Sequence, residues 1–349
     1  MHPHNSTETA AVAGLLPAHY DLAMTTPSAS GLPPLDWSTP TSVIAAARAG
    51  DRRAVSALVT ELERASPRMA GVIAALTPSL GRALVVGFTG PPGAGKSTLV
   101  NAYVAALRVA GLTVGIIAVD PSSPVSGGAI LGDRLRMTAS LADDGVFMRS
   151  LASGGHLGGL CPAAVRIIDA LDGAGKDIVL VETVGTGQNE MDIAEVADVR
   201  VVLSAPGLGD DIQAMKSGLL EIADVLVVNK SDRPGADETV HQLNSALHLR
   251  TTEPVPLVLK TCAVDASGVA ELAAEIARIG KLKTTASPTD RRRRRARFLI
   301  ARAAADLIAG HIKRDSDRHL DHLTDAVLVG DLSATEAAAK LISRLISSA

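Results

Sequence analysis

Apolar residues recur along this chain with two different periods, and the alternation between the two lays out its elements. Short β-branched runs at Leu84–Phe88, Thr113–Val119, Val146–Arg149, Ile178–Glu182, Val199–Leu203, Val225–Val228 and Val255–Leu259 predict seven strands. Segments with helical spacing separate them. Runs that are apolar throughout, rather than at every second position, belong to strands covered on both faces. The pattern therefore predicts an α/β fold with a mostly parallel sheet over 83–283. Ligands in such a sheet sit outside the C-terminal strand ends.

The flanks read differently. Residues 1–38 are rich in Pro, Ser, Thr and Ala without apolar periodicity, which predicts a disordered leader. Two helices are expected in 39–82 as an N-terminal helical extension. In the second, Asp51 caps a face carrying Val55, Leu58, Val59 and Leu62. Residues 284–349 predict a C-terminal helical arm. Ser287-Pro288-Thr289-Asp290 opens a long helix running through Arg291–Arg295 toward Ile308. Ser333-Ala334-Thr335-Glu336 caps a final helix with Leu341, Ile342, Leu345 and Ile346 on one side. That stripe needs a partner surface, either the parent domain or a second subunit. The five arginines at 291–295 read as a solvated first turn, since nothing else in the chain makes a basic stripe for nucleic acid.

Composition narrows the classes. The chain has 349 residues, 47% of them apolar, and a formal net charge of −3, which gives no bulk attraction to nucleic acid. Aromatics are 2%, with Trp37 the one tryptophan, so base-stacking platforms are not expected. Cys161 and Cys262 have no CxxC or Cys/His metal spacing and suit a reducing compartment. No apolar run reaches the roughly 18 residues of a membrane span. The first Lys or Arg is Arg48, so a charged signal or transit segment is not expected and a cytoplasmic location is.

The chemistry concentrates in one stretch. The strand Leu84–Phe88 breaks into Gly90-Pro91-Pro92-Gly93-Ala94-Gly95-Lys96-Ser97-Thr98 and then a helix. That is a P-loop, whose backbone N–H groups converge on phosphate oxygens at a helix N-terminus. Gly90, Pro92, Gly93, Ala94, Gly95, Lys96, Ser97 and Thr98 are the phosphate-binding candidates. Lys96 is placed to reach the β- and γ-phosphates, and Ser97 to ligate Mg²⁺.

Other motifs fall at strand ends. Asn229-Lys230-Ser231-Asp232 follows Val225–Val228, and a carboxylate there accepts the paired ring N–H and amine donors that guanine has and adenine lacks. The Asn ties this loop to the P-loop, and the Lys stem covers the base. Thr261-Cys262-Ala263 follows the next strand as the loop offering N–H to the guanine carbonyl. Asp120, Asp133 and Glu182 are acids where a metal could use a subset of them together with Ser97. Gly185, in Glu182-Thr183-Val184-Gly185, is placed to offer its N–H to the γ-phosphate, so that the following loop senses hydrolysis. Gln188 and Glu190 are the polar groups nearest an attacking water.

The segments Val119-Asp120-Pro121-Ser122-Ser123-Pro124, Gly127–Arg134, Gly155-His156-Leu157-Gly158-Gly159, Glu182–Gln188, Pro206-Gly207-Leu208-Gly209-Asp210 and Asn229–Asp232 together resemble the MeaB/ArgK/MMAA family over about 40–345. These are GTPases that act as chaperones of cobalamin-dependent acyl-CoA mutases such as methylmalonyl-CoA mutase. The resemblance implies a G domain with an N-terminal helical extension and a C-terminal dimerisation arm, hence a homodimer. It implies switch loops near 120–137, 183–195 and 205–217, with Gln213 and Lys216 of the third completing the site when the mutase docks. By similarity Asp120, Asp133 and Glu182 join Ser97 at Mg²⁺, and Lys96, Glu182, Gln188 and Lys216 are the catalytic candidates. Gly154 stands where the family commonly has Arg, and Asp210–Lys216 departs from its usual third-loop pattern. Both changes bear on which mutase is served. With no arginine finger visible, slow unassisted hydrolysis is expected. A P-loop kinase or ATPase linked to amino-acid transport is the alternative, as is a metal-delivery GTPase, against which the lack of a Cys/His cluster counts.

Overall fold

The computed structural model describes residues 35–120, 143–152, 160–183, 191–208, 218–248, 254–285, 287–314 and 318–347. Seven strands form one sheet: β1 (Leu84–Thr89), β2 (Val114–Asp120), β3 (Val146–Ala152), β4 (Ile178–Thr183), β5 (Val199–Ser204), β6 (Val225–Val228) and β7 (Leu257–Lys260). The spatial order is β3-β2-β4-β1-β5-β6-β7, and every neighbouring pair is parallel. All seven strands fall where the apolar runs predict them, β6 with the same bounds and the others with ends moved by at most three residues. β7 starts at Leu257, the residue in register with Val225 at the start of β6.

Both faces are covered, as the strand composition requires. One face packs on α4 (Lys96–Val109) and α9 (Val269–Thr284), burying Val86, Phe88, Ile116 and Leu180 against Leu99, Tyr103 and Leu107 of α4. On the other, α5 (Pro162–Gly173) and the short α6 (Ile193–Val196) close in. A Cβ at Gly87 would meet the Ile193 side chain at 2.5 Å, so only a residue without a side chain lets α6 lie that close to β1. The short α7 (Leu219–Ile222) and α8 (Ala236–Leu247) bury Val202, Leu226 and Val228.

The N-terminal extension holds three helices where two are expected: α1 (Pro40–Arg48), α2 (Arg52–Glu63) and α3 (Met69–Leu76). Asp51 caps α2 as predicted, accepting from the N–H groups of Arg53 and Ala54. α3 escapes the pattern because Met-Ala-Gly-Val-Ile-Ala-Ala-Leu has no polar face and no side-chain cap. α2 packs on α5, whose Arg166 donates to the Leu62 carbonyl at 2.7 Å, and Glu63 pairs with Arg149 of β3. Arg52 donates to the Val146 carbonyl at 3.1 Å, at the N-terminal end of β3. Trp37 lies beside Arg52 and Arg53, with the Arg68 guanidinium 5.7 Å above its ring.

The chain divides into two compact units, Met1–Arg295 and Ala296–Ala349, the boundary falling inside α10 (Pro288–Arg314). The five arginines are not a solvated turn. Arg291 and Arg295 are buried, and with Arg294 they converge on the Asp198 carboxylate at 3.1–3.3 Å. Asp198 also accepts from the Val85 N–H, and the guanidiniums donate to the carbonyls of Ala83, Glu195, Val196 and Ala197. Of the two remaining arginines, Arg293 fits the expectation, exposed and 3.8 Å from Asp290. The second unit contains α11 (Arg318–Leu328) and α12 (Ala334–Ser347). Its predicted capping box forms: Ser333 donates to the Glu336 carboxylate and accepts from the Glu336 N–H. α11 is an additional helix, signalled by Leu320, Leu323 and Val327 at helical spacing.

Candidate nucleotide-binding site

β1 ends directly in the P-loop. Gly90 has φ +138°, and a Cβ there would collide with the Leu203 carbonyl of β5. Gly95 has φ +87°, and a Cβ would meet the Asn229 side-chain nitrogen at 2.5 Å. Both turns are therefore closed to any residue with a side chain. Between them Pro92 and Gly93 are exposed at the loop tip while Ala94 is fully buried. Lys96, Ser97 and Thr98 form the first turn of α4, where helix N–H groups have no intrahelical acceptor and face an anion. The Lys96 ammonium is buried and donates to the carbonyls of Gly90 and Pro91 at 2.7 and 2.9 Å, so the loop curls around its own cation.

Glu182 on β4 is paired in register with Phe88, one residue before the end of β1. The Ser97 hydroxyl donates to its carboxylate at 2.6 Å. This brings two of the predicted metal residues together across the sheet. Asp120 is the last residue of β2, one position beyond the Val119–Thr183 pair, and thus at the same end of the neighbouring strand. The donors are all oxygen, and a hard cation keeping phosphate and water ligands needs few of them, so these residues fit Mg²⁺. Among the described residues no group of three or more His, Cys, Asp or Glu gathers as a metal cluster, here or elsewhere. Asp133, Gly185, Gln188, Gln213 and Lys216 lie outside the described residues.

The two base loops are stitched to the P-loop by one side chain. Asn229 is buried, and its amide donates to the Ala94 carbonyl at 2.9 Å. Its oxygen accepts from the Thr261 hydroxyl at 3.1 Å and from the Ala263 N–H at 3.3 Å. Lys230 takes a positive φ of +57°, and its ammonium donates to the Gly93 carbonyl at 2.6 Å. Ser231 N–H donates to the Thr261 carbonyl at 3.0 Å, and Cys262 N–H to Ser267 at 2.9 Å. Asp232 is exposed, with the Cys262 thiol in hydrogen-bond contact with its carboxylate. The Asn229, Lys230, Asp232 and Thr261–Ala263 candidates thus occupy one corner, next to the P-loop.

Sequence reasoning passed over three polar groups here. Thr183 donates to Thr89 at 2.9 Å, closing the seam between β4 and β1 beneath the loop. Ser204 ends β5 fully buried, and Ser150 lies near the end of β3. The signal available was a hydroxyl interrupting an otherwise apolar strand at its C-terminal end.

A parallel sheet with a P-loop at a helix N-terminus, and loops after β6 and β7 tied to it through Asn229, defines a P-loop nucleoside triphosphatase. Comparison with known proteins sharpens the class. The chain belongs to the MeaB family, described as methylmalonyl Co-A mutase-associated GTPase MeaB, which its residues 53–317 match. A putative GTPase of Pyrococcus abyssi is 41% identical over 310 residues, covering 85% of this chain and 94% of that one. The mitochondrial methylmalonic aciduria type A homolog of Mus musculus is 37% identical over 193 residues, 54% of this chain and 46% of that one. The crystal structure of a LAO/AO transport system kinase matches with a TM-score of 0.69 at 28% identity, over 89% of this chain and 99% of the other. The protein is a GTPase. Among the described residues no helix is long and apolar enough to cross a membrane.

Proposed function

We propose that this GTPase is Mg²⁺-dependent and acts as a cytoplasmic G-protein chaperone, its nucleotide state gating cobalamin loading or protection of an acyl-CoA mutase of the methylmalonyl-CoA mutase type. The match of residues 53–317 to a family described as mutase-associated carries this reading. In it, the P-loop amides and Lys96 hold the β- and γ-phosphates while Asp232 reads guanine. Ser97, Glu182, Asp120 and Asp133 hold the metal. Held there, Mg²⁺ would supply positive charge that offsets the charge developing in transfer to water. Lys96 already sits buried at the loop's centre, which lowers the reorganisation needed to place its charge. Gln188 is the proposed residue for orienting water, and Gln213 and Lys216 are proposed to complete the site when the mutase docks.

Nucleotide and partner are then linked reciprocally: whatever the mutase does to GTP affinity, GTP does to mutase affinity. The second unit is proposed as a homodimerisation arm, supported by the exposed apolar side chains Leu307, Leu328 and Val329. A pull-down with non-hydrolysable GTP, GDP and no nucleotide tests the chaperone role. Recovery of a cobalamin mutase subunit in one state only is the expected result, and no recovery in any state would overturn it. Phosphate from labelled GTP appearing on protein or an amino acid, instead of as inorganic phosphate, would favour a kinase.

A further inference from the structure

We propose that Ser150 is a positioning residue of the metal site, its hydroxyl holding a metal-bound water from the β3 side. This rests on the Mg²⁺-dependent reading above. Register carries it. On the face that packs against α4, the sheet rows read Met148, Ile116, Leu180 and Val86, all apolar, and then Ser150, Ala118, Glu182 and Phe88. The second row is the last complete one before the strands end. It changes chemistry at that point, with a hydroxyl on β3, a methyl on β2 and a carboxylate on β4.

Adjacent strands lie about 4.8 Å apart, so Ser150 is two strand spacings from Glu182, with only the Ala118 methyl between. A larger residue than alanine would fill that gap. The Ser97 hydroxyl already sits on Glu182 at 2.6 Å, which marks where the row receives the first turn of α4. Asp120 lies two residues beyond Ala118 on the intervening strand. The Ser150 hydroxyl is buried and has no hydrogen-bond partner among the described residues. A buried hydroxyl left that way costs free energy, and a polar partner removes the cost. Mg²⁺ sheds its waters reluctantly, and those waters need acceptors and donors beyond the direct ligands. Register puts Ser150 in the same row and on the same sheet face as Glu182, the side from which a water on a cation held by Ser97 and Glu182 would meet the buried hydroxyl.

Manganese titration of the GDP complex, with free Mn²⁺ read by electron paramagnetic resonance, tests this in Ser150→Ala, Ser150→Thr and Ser150→Val. The expected result is Mn²⁺ affinity about tenfold or more weaker in the Ala and Val variants and close to wild type in Thr. GDP affinity in EDTA should be unchanged in all three, which a merely structural role would not select. Thr and Val are isosteres differing in that hydroxyl, so the comparison survives even if Ala loosens the strand. Equal Mn²⁺ affinity in Thr and Val, with wild type binding tightly, overturns the Ser150 role alone. A wild-type GDP complex that holds Mn²⁺ no better than free GDP does overturns the Mg²⁺-dependent reading with it.

Discussion

Asn229 shows how much a single amide can organise: it touches the P-loop through Ala94 and the second base loop through Thr261 and Ala263. Asn229→Ala would leave a buried hydroxyl and carbonyl without their partner, so the variant should lose about 2–4 kcal/mol by urea denaturation and bind GDP weakly. Asp232→Asn should exchange an acceptor pair for a mixed donor and acceptor. GTP affinity should fall about a hundredfold, and xanthosine triphosphate, which has a carbonyl in place of the amine, should gain; competition binding measures both. Tyr103 behaves oppositely. It is fully buried beside Phe88, burial pushes its phenol pKa far up, and its hydroxyl has no partner among the described residues. Tyr103→Phe should therefore raise stability by about 1 kcal/mol, seen as a higher Tm. Asn229 and Asp232 were legible in the sequence because phosphate and guanine demand particular groups at particular strand ends. Ser150 and Tyr103 were not, since a hydroxyl in an apolar run has no period and its meaning appears only when neighbouring strands are in register.

Helices and strands were legible in proportion to how two-sided they are. α2, with Asp51 at its start and four apolar residues down one face, reads directly; α3, apolar all round, does not. The start of α10 was read correctly from Ser287 and Pro288, yet its arginines were misread. Charge in a sequence looks solvated, and only the fold reveals that a buried aspartate waits opposite. Asp198 binds Arg291, Arg294 and Arg295 and also the backbone of Val85, so it fastens α10 to the N-terminal ends of β1 and β5. Asp198→Ala strands those guanidiniums without a counter-charge, and should cost about 3–5 kcal/mol in chemical denaturation. Pro288 is part of the same fastening: a Cβ at Gly81 would lie 2.6 Å from the Pro288 ring, so Gly81→Ala should loosen the junction as well.

At the scale of the molecule, the sheet separates two chemistries. Its C-terminal strand ends gather oxygen donors and loops for nucleotide, while its N-terminal ends gather paired charges. Among the latter, burial raises the Asp169 carboxyl to about 6, against the pull of Arg295 and Arg292. A carboxyl whose folded pKa lies above its unfolded one favours the folded state fully only while protonated. Its contribution is present below about pH 4, is lost between about 4 and 6, and stays lost above. Asp169→Asn should thus raise the urea midpoint at pH 7.5 relative to wild type and leave the difference near zero at pH 4. The order of strands and the second unit's boundary at Ala296 were beyond the sequence, because pairing and compactness depend on contacts distant along the chain. The stacking of Arg68 on Trp37 has a practical meaning here. The one indole of the chain sits with α2, whose Arg52 grips the β3 end away from the P-loop. Indole emission therefore watches the N-terminal helices and not the phosphate loop. Timing of nucleotide arrival calls for a fluorophore on the nucleotide, and any indole response to GTP would be a message that has crossed the full length of the strands.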